Sequence, residues 1–242
     1  MSVNRQLVVF DFDWSLADQD SDRWIFEVLA PDLRRKMRQD KDTVQWTDSV
    51  AASLREAHKR GITREQIEQA LISMPFHPAM IRAVKDLNAQ GKTTFLCLSN
   101  ANEVFIKTIL KSKGLEDVFD EIITNRAEWD ESGLLKLRRR VDPNGPQHSC
   151  KVGCSPNMCK GEELEAFLER HPPPFDRIVY IGDGSNDFCP ILRLRPQDRC
   201  LCRSFRGLQK RILKEGEQAG LKCEIKYWGG AWEVEELFKE LH

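Results

Sequence analysis

The sequence predicts an α/β protein: a Rossmann-like core with a mostly parallel sheet, and a small helical cap inserted after its first strand. Three observations carry this. The apolar runs Leu7-Val8-Val9-Phe10, Phe95-Leu96-Cys97-Leu98 and Ile178-Val179-Tyr180-Ile181 read as buried parallel strands. Stretches with helical periodicity alternate with them, as in a sheet built from βαβ units. Finally, residues 16–77, between the first and second strands, hold helical signals alone.

Taken in order, the insertion contains helices at 21–29, from 31 to about 38, at 46–58 and at 62–73. In the third, Trp46, Val50, Leu54 and Ala57 recur on one helical face. Thr63-Arg64-Glu65-Gln66 matches a capping box ahead of Ile67, Ala70 and Leu71. The core resumes with a helix at 78–90, stopped by Gly91. Strand 93–99, helix 102–113, strand 120–124, a helix opening at Lys160, strand 177–181, a short strand at 199–202 and a helix from Ala231 complete it. Pro143, Gly145 and Pro146 mark one loop, and Pro172-Pro173-Pro174 another. The expected division is a core of residues 1–15 and 78–242 with a cap of 16–77.

At 242 residues the chain buries a large core, and one domain with a modest insertion suits that length. With 37 basic and 38 acidic residues the net charge is -1, so no global field favours nucleic acid or an anionic membrane. The basic run at 136–140 is short and flanked by acids, and reads as a solvated surface segment. No apolar stretch reaches membrane-spanning length, and a strand beginning near Gln6 leaves no room for a signal peptide. The eight cysteines, without a mark of export, fit a reducing cytoplasm. No obligate protein partner is evident.

The chemistry gathers at strand ends. Asp11 and Asp13 follow the first strand, where open α/β sheets place ligands. Both face one site only if the backbone turns at Phe12. Two buried like charges call for a cation between them. This points to a magnesium-assisted site with one acid to attack and one to move protons. The strand at 177–181 runs into Gly182-Asp183-Gly184-Ser185-Asn186-Asp187, whose Asp183 and Asp187 are hard oxygen donors suited to Mg²⁺. Ser99 ends the strand between them, as a phosphate-facing hydroxyl or a helix N-cap. Lys160 opens the helix that precedes the strand at 177–181.

A nucleophilic carboxylate, a hydroxyl, a lysine and an acidic pair, in that order, resemble the four motifs of the haloacid dehalogenase (HAD) phosphohydrolases. The resemblance implies that Asp11 attacks phosphorus and forms an aspartyl-phosphate, and that Asp13 serves as general acid and then base. It implies Mg²⁺ on the Asp11 carboxylate, the Asp13 carbonyl and Asp183, with Asp187 orienting its waters or ligating. Ser99 and Lys160 then hold the phosphoryl group.

The segments Asp20-Ser21-Asp22-Arg23-Trp24, Ser99-Asn100-Ala101-Asn102, His148-Ser149-Cys150, Asn157-Met158-Cys159-Lys160 and 182–190 narrow the likeness. With the first motif they resemble the phosphoethanolamine/phosphocholine phosphatase and pyridoxal-phosphate phosphatase family, from the first strand through Trp228. The family assigns the acid matching Asp22 to substrate binding, and likewise an acid where this chain has Asn100. Asn100 keeps the hydrogen bonding and lacks the charge, which weakens a preference for ammonium head groups. Trp24 and Trp46 read as core, or as a cation–π wall in the cap. His148, Cys150, Cys154 and Cys159 supply enough soft donors for one tetrahedral Zn²⁺, with reduced packing thiols as the alternative.

The reading is a cytoplasmic, Mg²⁺-dependent phosphomonoesterase acting on a small phosphorylated metabolite such as phosphoethanolamine, phosphocholine or pyridoxal phosphate. Its rivals are another capped HAD phosphatase, for a phosphoserine-like or methylthio-sugar phosphate, and a non-catalytic zinc-binding module on the same fold. Intact acids at 11, 13, 183 and 187, together with Lys160, weigh against the last.

Overall fold

The computed structural model describes residues 3–241, and among them seven strands form one sheet. These are β1 (Gln6–Phe10), β2 (Thr93–Asn102), β3 (Glu121–Trp129), β4 (Leu135–Arg138), β5 (Arg177–Gly182), β6 (Arg199–Arg203) and β7 (Glu224–Trp228), in the order β4-β3-β2-β1-β5-β6-β7. Every pairing is parallel except β3 with β4. β1 lies at the centre because both its faces are apolar and all five residues are buried. It pairs in register with β2 and β5, Phe10 opposite Cys97 on one side and Ile181 on the other. β1 and β5 therefore end nearly level, whereas β2 runs on through an irregularity to Asn102.

Helices cover both faces. α5 (Pro78–Asn88), α6 (Glu103–Ser112) and α10 (Ala231–Lys239) bury their apolar sides with Phe10, Phe95 and Phe119. α7 (Lys160–Arg170), α8 (Phe188–Ile191) and α9 (Gly207–Glu215) close the other face over Leu7, Val9, Leu96 and Tyr180. Between β1 and α5 lie α1 (Ser21–Leu29), α2 (Pro31–Gln39), α3 (Trp46–Lys59) and α4 (Arg64–Ile72), in the order the periodicity predicts. The capping box before α4 is complete: Thr63 accepts from the Gln66 N–H, and the Gln66 side chain accepts from the Thr63 N–H.

The four inserted helices touch the rest of the molecule along several edges. α3 packs on β4, and α4 packs on α6. Arg139 pairs with Asp48 of α3, and Lys113 Nζ donates to the Ile72 carbonyl at 2.9 Å. Within the insertion, Trp24 Nε1 donates to the Ala70 carbonyl at 2.8 Å.

The structure adds elements that the periodicity misses: β4, α9 and the edge strand β7. The basic run proves to be part of β4 and its exit, each charge matched: Lys136 by Asp130, Arg138 by Glu128, Arg139 by Asp48 and Arg140 by Glu163. No helix among the described residues is long and apolar enough to cross a membrane. All eight cysteines are free.

Candidate active site

At the C-terminal end of β1 the chain abandons the pleat. Within residues 12–16 only Asp13 and Trp14 leave helical backbone geometry, so Phe12 makes the turn that places both acids on one side. Trp14, at φ 60, carries the chain into the left-handed region and back toward Gln19, whose carbonyl its N–H meets at 3.2 Å. The turn lets Asp11 cap its own loop: Oδ1 accepts from the Phe12 N–H at 2.7 Å and pairs with Lys160 Nζ at 2.8 Å. Oδ2 has no hydrogen-bond partner among the described residues.

Lys160 is the first residue of α7, and its side chain is 1% exposed. Its ammonium bridges Asp11 and Asp187, the second contact at 2.7 Å. Asp187 is saturated. Oδ1 takes Lys160 and the Tyr180 hydroxyl at 2.7 Å, and Oδ2 takes the N–H groups of Asp183 and Gly184 at 3.1 and 2.9 Å. Gly182 is required here, since a Cβ on it would lie 2.7 Å from the Asp187 carboxylate. Ligand atoms of Asp11, Asp183 and Asp187 all fall within 4.8 Å of one another.

Three buried carboxylates against one ammonium leave an excess of negative charge, and the titration of the group shows it. Burial, then Asp187, raises the Asp11 carboxyl well above the usual range. The same two causes push Asp183 up to about 7, although Lys160, Arg206 and Arg203 oppose them. Burial works against the Lys160 ammonium, but Asp11 and Asp187 outweigh it and hold its pKa above the ordinary lysine value. Such a cluster fits a divalent cation bound through hard oxygen donors.

Asp13 reaches the N-terminus of α1, where Oδ1 accepts from the Ser21 N–H at 2.8 Å. Its carboxyl is raised by burial and then by Asp20 and Asp22. Asp22 is 4% exposed and pushed up to about 7, by burial and then by Asp20. Trp46 Nε1 donates to its Oδ2 at 2.9 Å, which ties α1 to α3. Ser15 Oγ, Ser21 Oγ, Asp22 Oδ1 and Asn102 Nδ2 are all buried without hydrogen-bond partners. The Asn102 amide nonetheless faces the Asp22 carboxyl and opposes the rise in its pKa.

Ser99 lies where β2 slips out of register, between Leu98 opposite Ile123 and Asn102 opposite Asn125. Its Oγ accepts from the Ala101 N–H at 3.1 Å, and the N-cap of α6 is Asn102 rather than Ser99. Asn100 is occupied sideways: it donates to Asn157 Oδ1 at 3.3 Å and accepts from Asn186 Nδ2 at 2.8 Å. Asn125 supports the same network through the carbonyls of Asn100 and Ala101. Trp24 and Trp46 pack, partly buried, against the apolar core; Trp24 Nε1 is bound to the Ala70 carbonyl, and the Arg23 guanidinium lies 5.5 Å from the Trp46 ring centre. Trp14, in the loop after β1, has Arg206 at 3.9 Å and Arg203 at 5.7 Å from its ring centre.

His148 does not join the cysteines. Its Nε2 lies 2.9 Å from the Ser155 carbonyl, and the thiols of Cys150, Cys154 and Cys159 gather instead with Cys189. Sequence reasoning also passed over Tyr180, Asn125, Asn157, Asn186, Arg203 and Arg206. Of these, Asn186, inside the motif of residues 182–187, and Asn157, inside the segment 157–160, carried a local signal.

A profile of the family described as Putative Phosphatase matches residues 6–242. "Inorganic pyrophosphatase 2" of Arabidopsis thaliana is 32% identical, covering 98% of this chain and 84% of its own. "Pyridoxal phosphate phosphatase PHOSPHO2" of Bos taurus is 33% identical, covering 94% and 95%. Among solved structures, a HAD family hydrolase of Salmonella enterica serovar Typhi superposes with a TM-score of 0.63 at 13% identity, over 98% of this chain and 71% of that one. A phosphoserine phosphatase from T. onnurineus gives 0.59 at 15% identity, over 100% and 99%. The chain belongs to the Putative Phosphatase family, and its fold is shared with a HAD family hydrolase.

Proposed function

We propose that this family member hydrolyses phosphate monoesters of small metabolites through an aspartyl-phosphate on Asp11, with Mg²⁺ as cofactor. The observation that carries this is the Asp11 carboxylate, fixed through Oδ1 by Lys160 at 2.8 Å and free at Oδ2, beside two further acids. Oδ2 attacks phosphorus, and the P–O bond to the leaving alcohol breaks as Asp13 delivers its proton. Asp13 then takes a proton from the water that attacks the aspartyl-phosphate, releasing phosphate and restoring Asp11. A carboxyl raised above the usual range suits the first half of that exchange.

Asp11, Asp183 and the Asp13 carbonyl would hold Mg²⁺, which when bound neutralises the surplus charge that otherwise repels a phosphate dianion. Asp187 spends its lone pairs on four donors, so we assign it to positioning Lys160 and the 183–184 backbone. Ser99 and Lys160 face the phosphoryl oxygens, and Asp22 receives the leaving group. Asn100 contributes by tying the loops around the site together. Residues 16–77 act as the cap, and 1–15 with 78–242 as the core. Eight free thiols suit a reducing compartment such as the cytoplasm, the location we assign.

Asp11→Asn should fold normally and lose turnover, because an amide does not form the acyl-phosphate. Wild type quenched during turnover should carry phosphate on Asp11 by mass spectrometry. Robust hydrolysis by the Asn variant would refute the covalent route. A substrate panel should include phosphoethanolamine, phosphocholine, pyridoxal phosphate and, given one relative's name, pyrophosphate.

A further inference from the structure

Behind the catalytic loop four cysteines converge from distant parts of the chain. Cys150 and Cys154 come from the segment before α7, Cys159 caps α7, and Cys189 lies in α8. The sulfurs stand 3.6 Å apart for Cys150 and Cys154, 3.5 Å for Cys150 and Cys189, and 3.6 Å for Cys159 and Cys189. All four lie within 4.8 Å of one another. A zinc ion bound to four thiolates at about 2.3 Å spans a tetrahedron whose edges are about 3.8 Å. The observed spacings are close to that edge. They are far longer than an S–S bond of about 2.05 Å.

Hydrogen-bond donors surround the sulfurs. The N–H groups of Val152 and Glu162 point at the sulfurs of Cys150 and Cys159, at 3.3 and 3.5 Å. The Arg193 guanidinium hydrogen-bonds Cys189. Donors and a cation around the sulfurs are the outer shell of a metal–thiolate site. Gly161 makes the convergence possible, since a Cβ there would stand 2.5 Å from Cys189 Sγ.

We infer that Cys150, Cys154, Cys159 and Cys189 bind one structural zinc ion, with Cys189 in the place His148 was expected to take. All four positions are filled by protein, which makes the site closed and non-catalytic. Its task is mechanical. Cys159 adjoins Lys160 and Cys189 follows Asp187 by two residues, and Lys160 and Asp187 meet at 2.7 Å. The ion clamps the two chain segments that carry this pair.

The test uses full-length protein purified without added metal and washed of exchangeable ions. Elemental analysis should find one zinc per chain, and X-ray absorption should find four sulfur ligands at about 2.3 Å. His148→Ala should keep the full zinc content, whereas Cys189→Ser should release zinc to a chelator at least about tenfold faster. Metal-free, folded wild type with eight reactive thiols would overturn the inference. So would a nitrogen ligand in the absorption spectrum together with zinc loss in His148→Ala. Both are read without Cys189→Ser, should that variant not fold. Zinc content is independent of turnover: a zinc-loaded protein inert toward every phosphate would remove the proposed function and leave this site standing.

Discussion

Lys160→Met removes the only ammonium between Asp11 and Asp187 and keeps most of the side-chain volume. The lysine is 1% exposed and meets its two acids at 2.8 and 2.7 Å. At an effective dielectric of about 20, one such pair is worth roughly 6 kcal/mol before desolvation is subtracted. Breaking a buried pair by removing one partner costs about 3–5 kcal/mol, because the remaining charge is left uncompensated. That cost depends on pH with a definite sign. Burial, then Asp187, already raises Asp11, and Lys160 is what lowers it. Without the ammonium its folded pKa climbs further above the unfolded value of about 3.9. A group raised on folding contributes stability below its unfolded pKa and loses it as pH rises through the folded one. The variant's deficit should therefore open only above the folded pKa that Asp11 has in wild type, itself above the usual carboxylate range. Urea unfolding followed by circular dichroism, with EDTA present, should give a loss of about 3–5 kcal/mol at pH 8 and less than half of that at pH 5. Turnover should fall by about 10²–10³. An equal loss of stability at both pH values would place the cost in packing of the alkyl stem and refute the charge argument.

Two further outcomes are expected. Asn100→Asp keeps the bond from Asn186 but sets a carboxylate against Asn157 Oδ1, so it should cost about 1–2 kcal/mol in stability. Because that side chain is committed sideways, the ratio of kcat/KM for phosphoethanolamine to that for an uncharged ester should move less than about twofold. A larger gain of roughly five- to thirty-fold would return position 100 to the leaving group. Asp22, raised to about 7 by burial first, loses stability as pH climbs from about 4 through 7. Asp22→Asn should then be more stable than wild type at pH 8 and not at pH 4, with poorer kcat/KM for cationic monoesters. Coincident pH–stability curves would show that Asp22 does not titrate in that window.

What the sequence revealed and what it concealed follow from the range of each interaction. β1, β2 and β5 were legible because strands apolar on both faces leave continuous runs, and an acid at the end of such a run is costly to bury unless it serves a site. The inserted helices were legible through Trp46, Val50 and Leu54, whose spacing matches the helical period. β4 was hidden because Leu135 and Leu137 alternate with charges in a run too short to separate from loop. β7 is an edge strand with little buried beyond Trp228. Ser99 was open to reading as a cap because no local signal shows β2 continuing past its bulge to Asn102. The exchange of His148 for Cys189 is the same difficulty at longer range. Spacing within 148–159 suggests a complete ligand set, whereas the fourth sulfur comes from across the sheet ends. Tyr180 looked like core filling, and only the folded chain shows its hydroxyl on Asp187.

The inserted helices are fastened at more than one place, α3 to β4 and to Arg139, α4 to α6 and to Lys113. A flap hinged at one edge can swing wide and admit bulky guests in one motion. A plate secured at several edges opens only by local breathing, since a rigid swing would break packed contacts at both places together. On the proposed function, traffic to Asp11 would then be a matter of molecular calibre, with compact phosphates passing transient gaps that would exclude phosphoproteins or nucleic-acid ends. Selection at this entrance precedes any recognition at Asp22, and its signature is an association rate that falls with substrate girth more steeply than affinity does.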